Sequence, residues 1–269
     1  MLEKAKYLEI HSKFYDYLLR TSFPPEGYLP YGTHEIPPGI ANGPEWFIFA
    51  SQAKELVHEI LNSANQFYSQ IIRLGAWAEV LEEYEGLERF NIVAEIIEPF
   101  ASHIINSVYM IKGRMAFVTS ILLHHTFCLF EQEWKDTDFK GNKFYFVQVY
   151  GQLKKYKEYT GSSDTSDKLH SCLDQIDDEA FREATKEFRG RFQHMIPPNI
   201  EVGLSGLVNR MESKDGKVSY GIGGQKPLSL KDVLPHLTTQ HDRCVEAFKV
   251  FWELMQEMLE IWKQERPNI

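Results

Sequence analysis

Two arginines and a histidine near the end of a predicted helix are the residues of this sequence best suited to chemistry. Arg189, Arg191 and His194 fall within a charged stretch, residues 173–198, that has helical periodicity. Histidine titrates near neutral pH, and arginine is a permanent cation that can bind a phosphate through two hydrogen bonds. Together they could cleave RNA without a metal ion. The ribose 2′-hydroxyl is an internal nucleophile, so the protein need only move a proton and stabilise the phosphate charge.

The spacing of Arg189 and His194 limits how they could act together. Five residues along a straight helix place two side chains about 140° apart, which is too far for one small substrate. They can converge only if the last turn unwinds at Pro197 and Pro198, or if two copies of the helix face each other across a dimer axis. Gly190 would let a phosphate or another backbone come close.

A purely structural interpretation of these charges also remains open. Opposite charges recur three or four residues apart along the same stretch, as they do on an ordinary solvated helix face. The pairs are Glu179 with Arg182, Glu183 with Lys186, and Glu187 with Arg191. Spacing alone therefore does not separate a catalytic helix from a structural one.

An apolar stripe predicts how this helix is positioned. Its members are spaced three and four residues apart, so they share one face, which is expected to pack on the core: Phe181, Ala184, Phe188, Phe192 and Met195. The residue before a proline is disfavoured in a helix, so the helix is expected to end at about residues 194–195. The sequence thus predicts one continuous amphipathic helix with the charged motif at its end.

The segment Arg189-Gly190-Arg191-Phe192-Gln193-His194 resembles the Arg-x4-His signature of the HEPN superfamily. Its setting is similar too, a late helix followed by a long final helix, here expected over residues 235–263. The resemblance implies a dimer of helical bundles and a metal-independent RNase of a toxin, defence or RNA-processing system. It implies Arg189 and His194 as the catalytic pair at the dimer interface, and Arg191 as a contact to the RNA backbone. The alternative is a catalytically inactive module that uses the central helix for dimerisation or partner binding.

Metal and cofactor chemistry have less support. Two pairs have the spacing of helical metal ligands, Glu55 with His58 and Asp167 with His170, whereas a di-iron bundle needs two ExxH pairs and two further carboxylates. The neighbours His124 and His125 diverge by about 100° on a helix, so each is expected to be buried or bridging. The chain has no GKS or GKT phosphate loop and no GxSxG elbow. We therefore expect no metal and no cofactor.

Composition indicates a globular protein of a reducing compartment. The 269 residues are 43% hydrophobic and carry a net charge of −9, so any nucleic-acid site must be a local positive patch. Cys128, Cys172 and Cys244 are widely separated, fit no disulfide framework and are expected to be small core residues. The most apolar run, residues 115–130, is short for a membrane span. We expect a cytoplasmic protein without a secretory signal.

The chain is predicted to be one helical domain of the all-α class, a mainly antiparallel bundle. We expect a helix in residues 1–21, a proline- and glycine-rich loop at 22–44, a helical half at 45–160 and a HEPN-like half at 161–269. A β-hairpin is predicted at about 201–224, because Asp-Gly lies between β-prone runs. Further local predictions are a cap at Asn42 for a helix starting at Pro44, helix breaks at Gly75 and Gly113, and a bend at Pro99. Near the end of the chain, Ser229 is expected to cap a short helix to about Val233, and Pro235 to open the final long helix.

Overall fold

The computed structural model describes residues 3–20, 27–41, 43–131, 133–139, 145–161, 164–213 and 215–265. Its class is the predicted one, all-α with a small antiparallel hairpin. The first helices are α1 (Lys4–Leu18), α2 (Pro44–Leu81), α3 (Gly86–Ile92), α4 (Glu98–Phe130), α5 (Tyr145–Thr160) and α6 (Asp164–Gln175). They are followed by α7 (Glu179–Ala184), α8 (Phe188–His194), the strands β1 (Val208–Glu212) and β2 (Val218–Ile222), and α9 (Leu230–Glu265).

The long helices α2 and α4 continue through glycines that were expected to stop them. α2 passes Gly75 and α4 passes Gly113, so both predicted breaks are wrong. A lone glycine costs only about 1 kcal/mol in a helix. Leu74 and Trp77 are buried on either side of Gly75, and burial of side chains of this size outweighs that cost.

The irregularity expected at Pro99 takes the form of a π-helical turn just before it. Val93–Ile97 is π-helical, and the N–H of Glu98 bonds to the carbonyl of Val93, five residues back. Proline has no N–H to offer the carbonyl of Glu95, so a wider turn at this point accommodates the missing bond.

The predicted continuous helix over residues 173–198 is wrong, because the structure divides this stretch among α6, α7 and α8. The backbone is left-handed at Asp177, Lys186 and Glu187, where φ is 55°, 54° and 55°. Phe181 and Phe188 are buried as expected, but Phe192 is 50% and Met195 72% exposed. The apolar stripe thus reaches the core only in its first part.

The hairpin is confirmed within the predicted range of residues 201–224. Arg210 pairs with Tyr220 at the centre of the antiparallel ladder. α9 begins at Leu230, so Pro235 lies inside the helix and the prediction that it opens the helix is wrong. The carboxylate of Glu201 accepts a hydrogen bond of 2.6 Å from the N–H of Leu230, which caps the earlier start. Asn42 lies outside the described residues.

The chain forms two compact units, each assembled from three stretches. Unit 1 comprises Met1–Glu26, Phe67–Val108 and Asp178–Gln240, and unit 2 comprises Gly27–Gln66, Tyr109–Asp177 and His241–Ile269. In unit 1, Phe14 stacks on Trp77 with ring centroids 4.4 Å apart. In unit 2, Phe49 stacks on Trp262 at 4.8 Å. The Arg189–His194 motif belongs to unit 1, and organisation as one domain stays a prediction.

The described part of the proline-rich loop is irregular, as predicted, and is fixed within unit 2. The side chain of the buried Asn65 accepts from the N–H of Leu29 at 2.8 Å and donates to its carbonyl at 2.9 Å. The ring of His34 packs nearly perpendicular to those of Phe248 and Trp252, with centroid distances of 4.9 and 5.0 Å. These contacts make residues 27–41 an ordered loop.

Candidate functional site

The turn between α7 and α8 fixes where the charged motif begins. Glu187 donates its N–H to the carbonyl of Arg182, and Lys186 donates to that of Glu183, at 2.7 and 2.9 Å. This pair of bonds is the Schellman pattern that ends a helix, with Lys186 in the left-handed position usually taken by glycine. The Lys186 ammonium also donates to the carbonyls of Lys226 and Pro227, which offsets part of the backbone strain.

The two predicted catalytic residues lie on the same short helix but on different sides of it. α8 is regular from Phe188 to His194, and the chain becomes extended only at Met195. Unwinding therefore does not bring Arg189 and His194 together within one chain, and the separation of about 140° stands. The His194 side chain is exposed, whereas Arg189 is half-buried and its Nε is fully covered.

Arg191, the predicted RNA-backbone contact, makes two bonds within the protein. Its Nε donates to the carbonyl of Ile196 at 3.0 Å, and one Nη donates to the side-chain oxygen of Gln225 at 2.7 Å. The first bond satisfies a carbonyl just beyond the end of α8. The second ties the helix to the segment that follows β2. Arg191 therefore positions the end of α8 and the base of the hairpin.

A groove lies beside α8 in unit 1, between the start of α4 and two side chains of the motif. Its volume is about 610 Å³, and its polar and aromatic lining comprises Glu98, Ser102, His103, Asn106, Phe192 and Gln193. We call this the α4–α8 groove. On a helix, Arg189 shares a face with residues three and four positions later, which are Phe192 and Gln193. Arg189 is thus on the groove side of α8, whereas His194 is not.

The sequence did not single out the α4 side of this groove. Glu98, Ser102 and Asn106 are spaced four residues apart within an apolar region, and no motif connects them to residues about ninety positions later. Only the fold brings them beside Phe192. The one sequence signal for this side of the groove was a set of polar residues in a helix, interspersed with the apolar Ile97, Ile104 and Ile105, which are buried.

The stretch containing α8 and the hairpin is locally basic in an acidic protein. Residues 186–228 hold seven Lys and Arg against four Asp and Glu, whereas the whole chain has a net charge of −9. Several apolar side chains in the same stretch are exposed: Met195 at 72%, Ile196 at 75%, Tyr220 at 68% and Ile222 at 94%. Both properties are typical of a surface that contacts another macromolecule.

The alternative metal pairs are not assembled into a site. Within the described ranges, no group of three or more His, Cys, Asp and Glu side chains could hold a metal ion. Asp167 is paired with the Lys157 ammonium, and His170 lies 3.4 Å from the carboxylate of Asp174. Asp167 and His170 therefore take part in ordinary ion pairs at the protein surface.

A second cluster, in unit 2, surrounds His124 and Cys128 and was not predicted as a site. The Trp134 indole N–H donates to His124 Nδ1 at 2.9 Å, and Nε2 lies 3.2 Å from Asp136. Indole is only a donor, so neutral His124 carries its proton on Nε2 and directs it to the carboxylate. His125 bonds to Gln52 at 2.7 Å. The prediction that these histidines are buried or bridging is confirmed.

The Cys128 thiol is not activated as a nucleophile by this cluster. Its sulfur is 4.0 Å from Nδ1 and 3.9 Å from Nε2 of His124, and both nitrogens are already bonded. Burial, together with the nearby carboxylate of Asp136, raises the pKa of the thiol. The prediction of three core cysteines is wrong for exposed Cys128 and half-buried Cys172, and holds for Cys244.

Comparison with family models, curated proteins and solved structures finds no match to this chain. The resemblance in the motif therefore stays a prediction. In the described part of the chain, every helix is too short or too polar to cross a lipid bilayer.

Proposed function

We propose that this chain is a HEPN-like protein that cleaves RNA without a metal ion, with Arg189 and His194 as its catalytic pair. The supporting observation is an exposed imidazole on the same short helix as a half-buried guanidinium, in the locally basic part of an acidic chain. His194 takes the proton of the ribose 2′-hydroxyl, whose oxygen bonds to the adjacent phosphorus as the bond from phosphorus to the 5′-oxygen breaks. The products are a 2′,3′-cyclic phosphate and a 5′-hydroxyl, which gains its proton from water while His194 returns its own to solvent. Arg189 stabilises the charge that develops on the phosphate.

The separation of the two side chains on α8 leads us to propose a composite site. Arg189 of one chain would act with His194 of a second copy, because a regular seven-residue helix keeps them apart within one chain. A two-fold homodimer would contain two such sites. Arg191 holds the end of α8 in place through Ile196 and Gln225, and its other Nη, which makes no bond within the described residues, would contact the RNA backbone.

The test is cleavage of single-stranded RNA by full-length protein carrying Arg189→Ala or His194→Ala. Each change is expected to abolish cleavage, EDTA is expected to have no effect, and thermal unfolding is expected to stay close to that of the unmodified chain. Cleavage that survives both changes, or that EDTA removes, contradicts the proposal.

Mixing the two inactive variants tests the composite site separately. In a heterodimer of the two variants, one composite site carries both substitutions. The other site combines the unchanged Arg189 of one chain with the unchanged His194 of its partner. Half the dimers carry one intact site of two, so about a quarter of the original activity should return. If both residues of a site came from the same chain, mixing would restore nothing.

The second candidate is a catalytically inactive homodimerisation module that uses the same surface. The observation favouring it is the exposed apolar set on α8 and the hairpin, above all Ile222 at 94% and Met195 at 72%. A two-stranded hairpin is marginally stable by itself, and cover from a second copy would stabilise it. Ile222→Glu is expected to convert a dimer to a monomer in analytical ultracentrifugation. Dimers without any RNA shift at low salt, where electrostatic binding is strongest, would favour this candidate over the nuclease.

A further inference from the structure

We propose that the α4–α8 groove binds a guanine base of single-stranded RNA, with Phe192 as the stacking surface and Glu98 as the group that reads the base. This inference rests on the proposed action on RNA and names the nucleotide that the site would prefer. It uses residues of the groove that have no role in the proposed catalytic step.

The Phe192 ring offers one face to a ligand. Its ring stacks against Phe188, with centroids 5.7 Å apart and planes at 21°, while half of the Phe192 residue surface remains exposed. Phe188 is buried and holds the ring in orientation. Aromatic side chains on which unpaired bases stack are the usual means of binding single-stranded RNA.

Glu98 supplies the selectivity. It is half-buried in the groove, and its carboxylate forms no hydrogen bond or ion pair within the part of the chain that the structure describes. An ionised carboxylate only accepts hydrogen bonds, and its two oxygens match two neighbouring donors. Guanine presents such a pair, N1–H and the N2 amino group, on its Watson–Crick edge. Adenine, cytosine and uracil each present an acceptor beside a donor on this edge. The carboxylate would bond to the donor but be repelled by the acceptor.

The rest of the groove fits a nucleotide in size and chemistry. Its volume of about 610 Å³ is within the ordinary range for small-ligand sites, roughly 300–1,000 Å³. The exposed amide of Gln193 carries both donors and an acceptor, which suits the ring nitrogens and carbonyl of a base. Arg189 lies on the groove side of α8, so the cation expected to meet the phosphate and the base-binding surface share one side of the helix.

The experiment measures fluorescence anisotropy of oligouridine RNAs that carry one central guanosine, adenosine or cytidine, with full-length protein made cleavage-deficient by His194→Ala. The guanosine RNA is expected to bind about tenfold more tightly than the others, and Glu98→Gln to remove that preference. The exposed Glu95→Gln is the matched control, because it removes one negative charge nearby from a residue that does not line the groove. It should leave the preference intact.

Phe192 is tested with the same RNAs. Phe192→Ala is expected to weaken binding of all of them by about tenfold, and Phe192→Trp to preserve it, since stacking on an aromatic ring tolerates any base. Equal affinity for all RNAs, or a guanosine preference that survives Glu98→Gln, overturns the inference. If cleavage still depends on Arg189 and His194 in that case, the proposed function stands. Absence of RNA binding at low salt overturns both, and leaves a protein partner as the occupant of the groove.

Discussion

Replacing the left-handed residue Glu187 with glycine tests the fold around the motif. Whether the substitution raises or lowers the free energy of unfolding decides the test. Glu187 is exposed, has φ of 55°, and directly precedes α8 without capping it through its side chain. A residue other than glycine pays about 1–2 kcal/mol in this conformation. Glycine does not pay it, but loses about 0.5–1 kcal/mol more backbone entropy on folding. Glu187→Gly is therefore expected to stabilise the protein by about 0.5–1 kcal/mol.

The same substitution has the opposite effect if residues 173–198 form one helix. Glycine inside a helix costs about 1 kcal/mol, so the two structures predict changes of opposite sign. Urea denaturation followed by circular dichroism measures the difference, provided the denaturant dependence of the unfolding free energy is unchanged. Glu183→Gly is the matched control, since Glu183 is exposed and helical in α7. It should destabilise by about 1 kcal/mol. A loss of stability in Glu187→Gly similar to that of the control would refute the break between α7 and α8.

Two further predictions concern a buried carboxylate and the buried histidines. The almost covered Glu201 carboxylate accepts from Arg89 at 2.5 Å and from the N–H of Leu230. Glu201→Ala should therefore lower the free energy of unfolding by about 3 kcal/mol. Glu212→Ala, at an exposed residue that pairs with Arg210, should lower it by about 0.5 kcal/mol or less. Equal losses in the two variants would show that the Glu201 contacts contribute little. Burial lowers the pKa of His241, and the same cause lowers those of His11, His34 and His125. The unfolded chain then binds more protons below about pH 6.5, so stability should be full above that pH and fall as the solution is acidified. Urea denaturation at pH 7.5 and 5.5 measures this change in the free energy of unfolding, and His241→Asn should make the change smaller. A free energy of unfolding that is higher at pH 5.5 than at pH 7.5 would contradict the prediction.

The sequence predicts most of the helical structure because helical periodicity and caps are local signals. α1, the start of α2 at Pro44 and the hairpin are all found near their expected positions. The errors occur where tertiary contacts decide. Burial carries α2 through Gly75, and the short helix expected after Ser229 continues through Pro235 as α9, with its start bonded to the Glu201 carboxylate. Neither contact can be read from residues close in the sequence.

The break between α7 and α8 could not be predicted for a related reason. Phe181 and Phe188 are seven residues apart, which keeps them on one face of a continuous helix. The same spacing is satisfied when two short helices each contribute one ring to the core, as they do here. No glycine or proline marks the left-handed Lys186, and the bonds that support it go to Lys226 and Pro227, forty residues later. Gly190, the one glycine of the predicted helix, lies inside the regular helix α8.

The bonds of Arg191 to Ile196 and Gln225 help to distinguish the two candidate functions. Through them, the end of α8 and the segment after β2 are held together, so a partner bound at the hairpin would also fix the orientation of His194. A composite nuclease needs that coupling, because its catalytic residues come from different chains. A simple dimerisation module does not need an exposed histidine or a basic surface. Loss of cleavage together with loss of the dimer in Ile222→Glu, a change on the hairpin remote in sequence from the motif, would show that assembly creates the active site. Loss of the dimer with cleavage retained would place both catalytic residues in one chain.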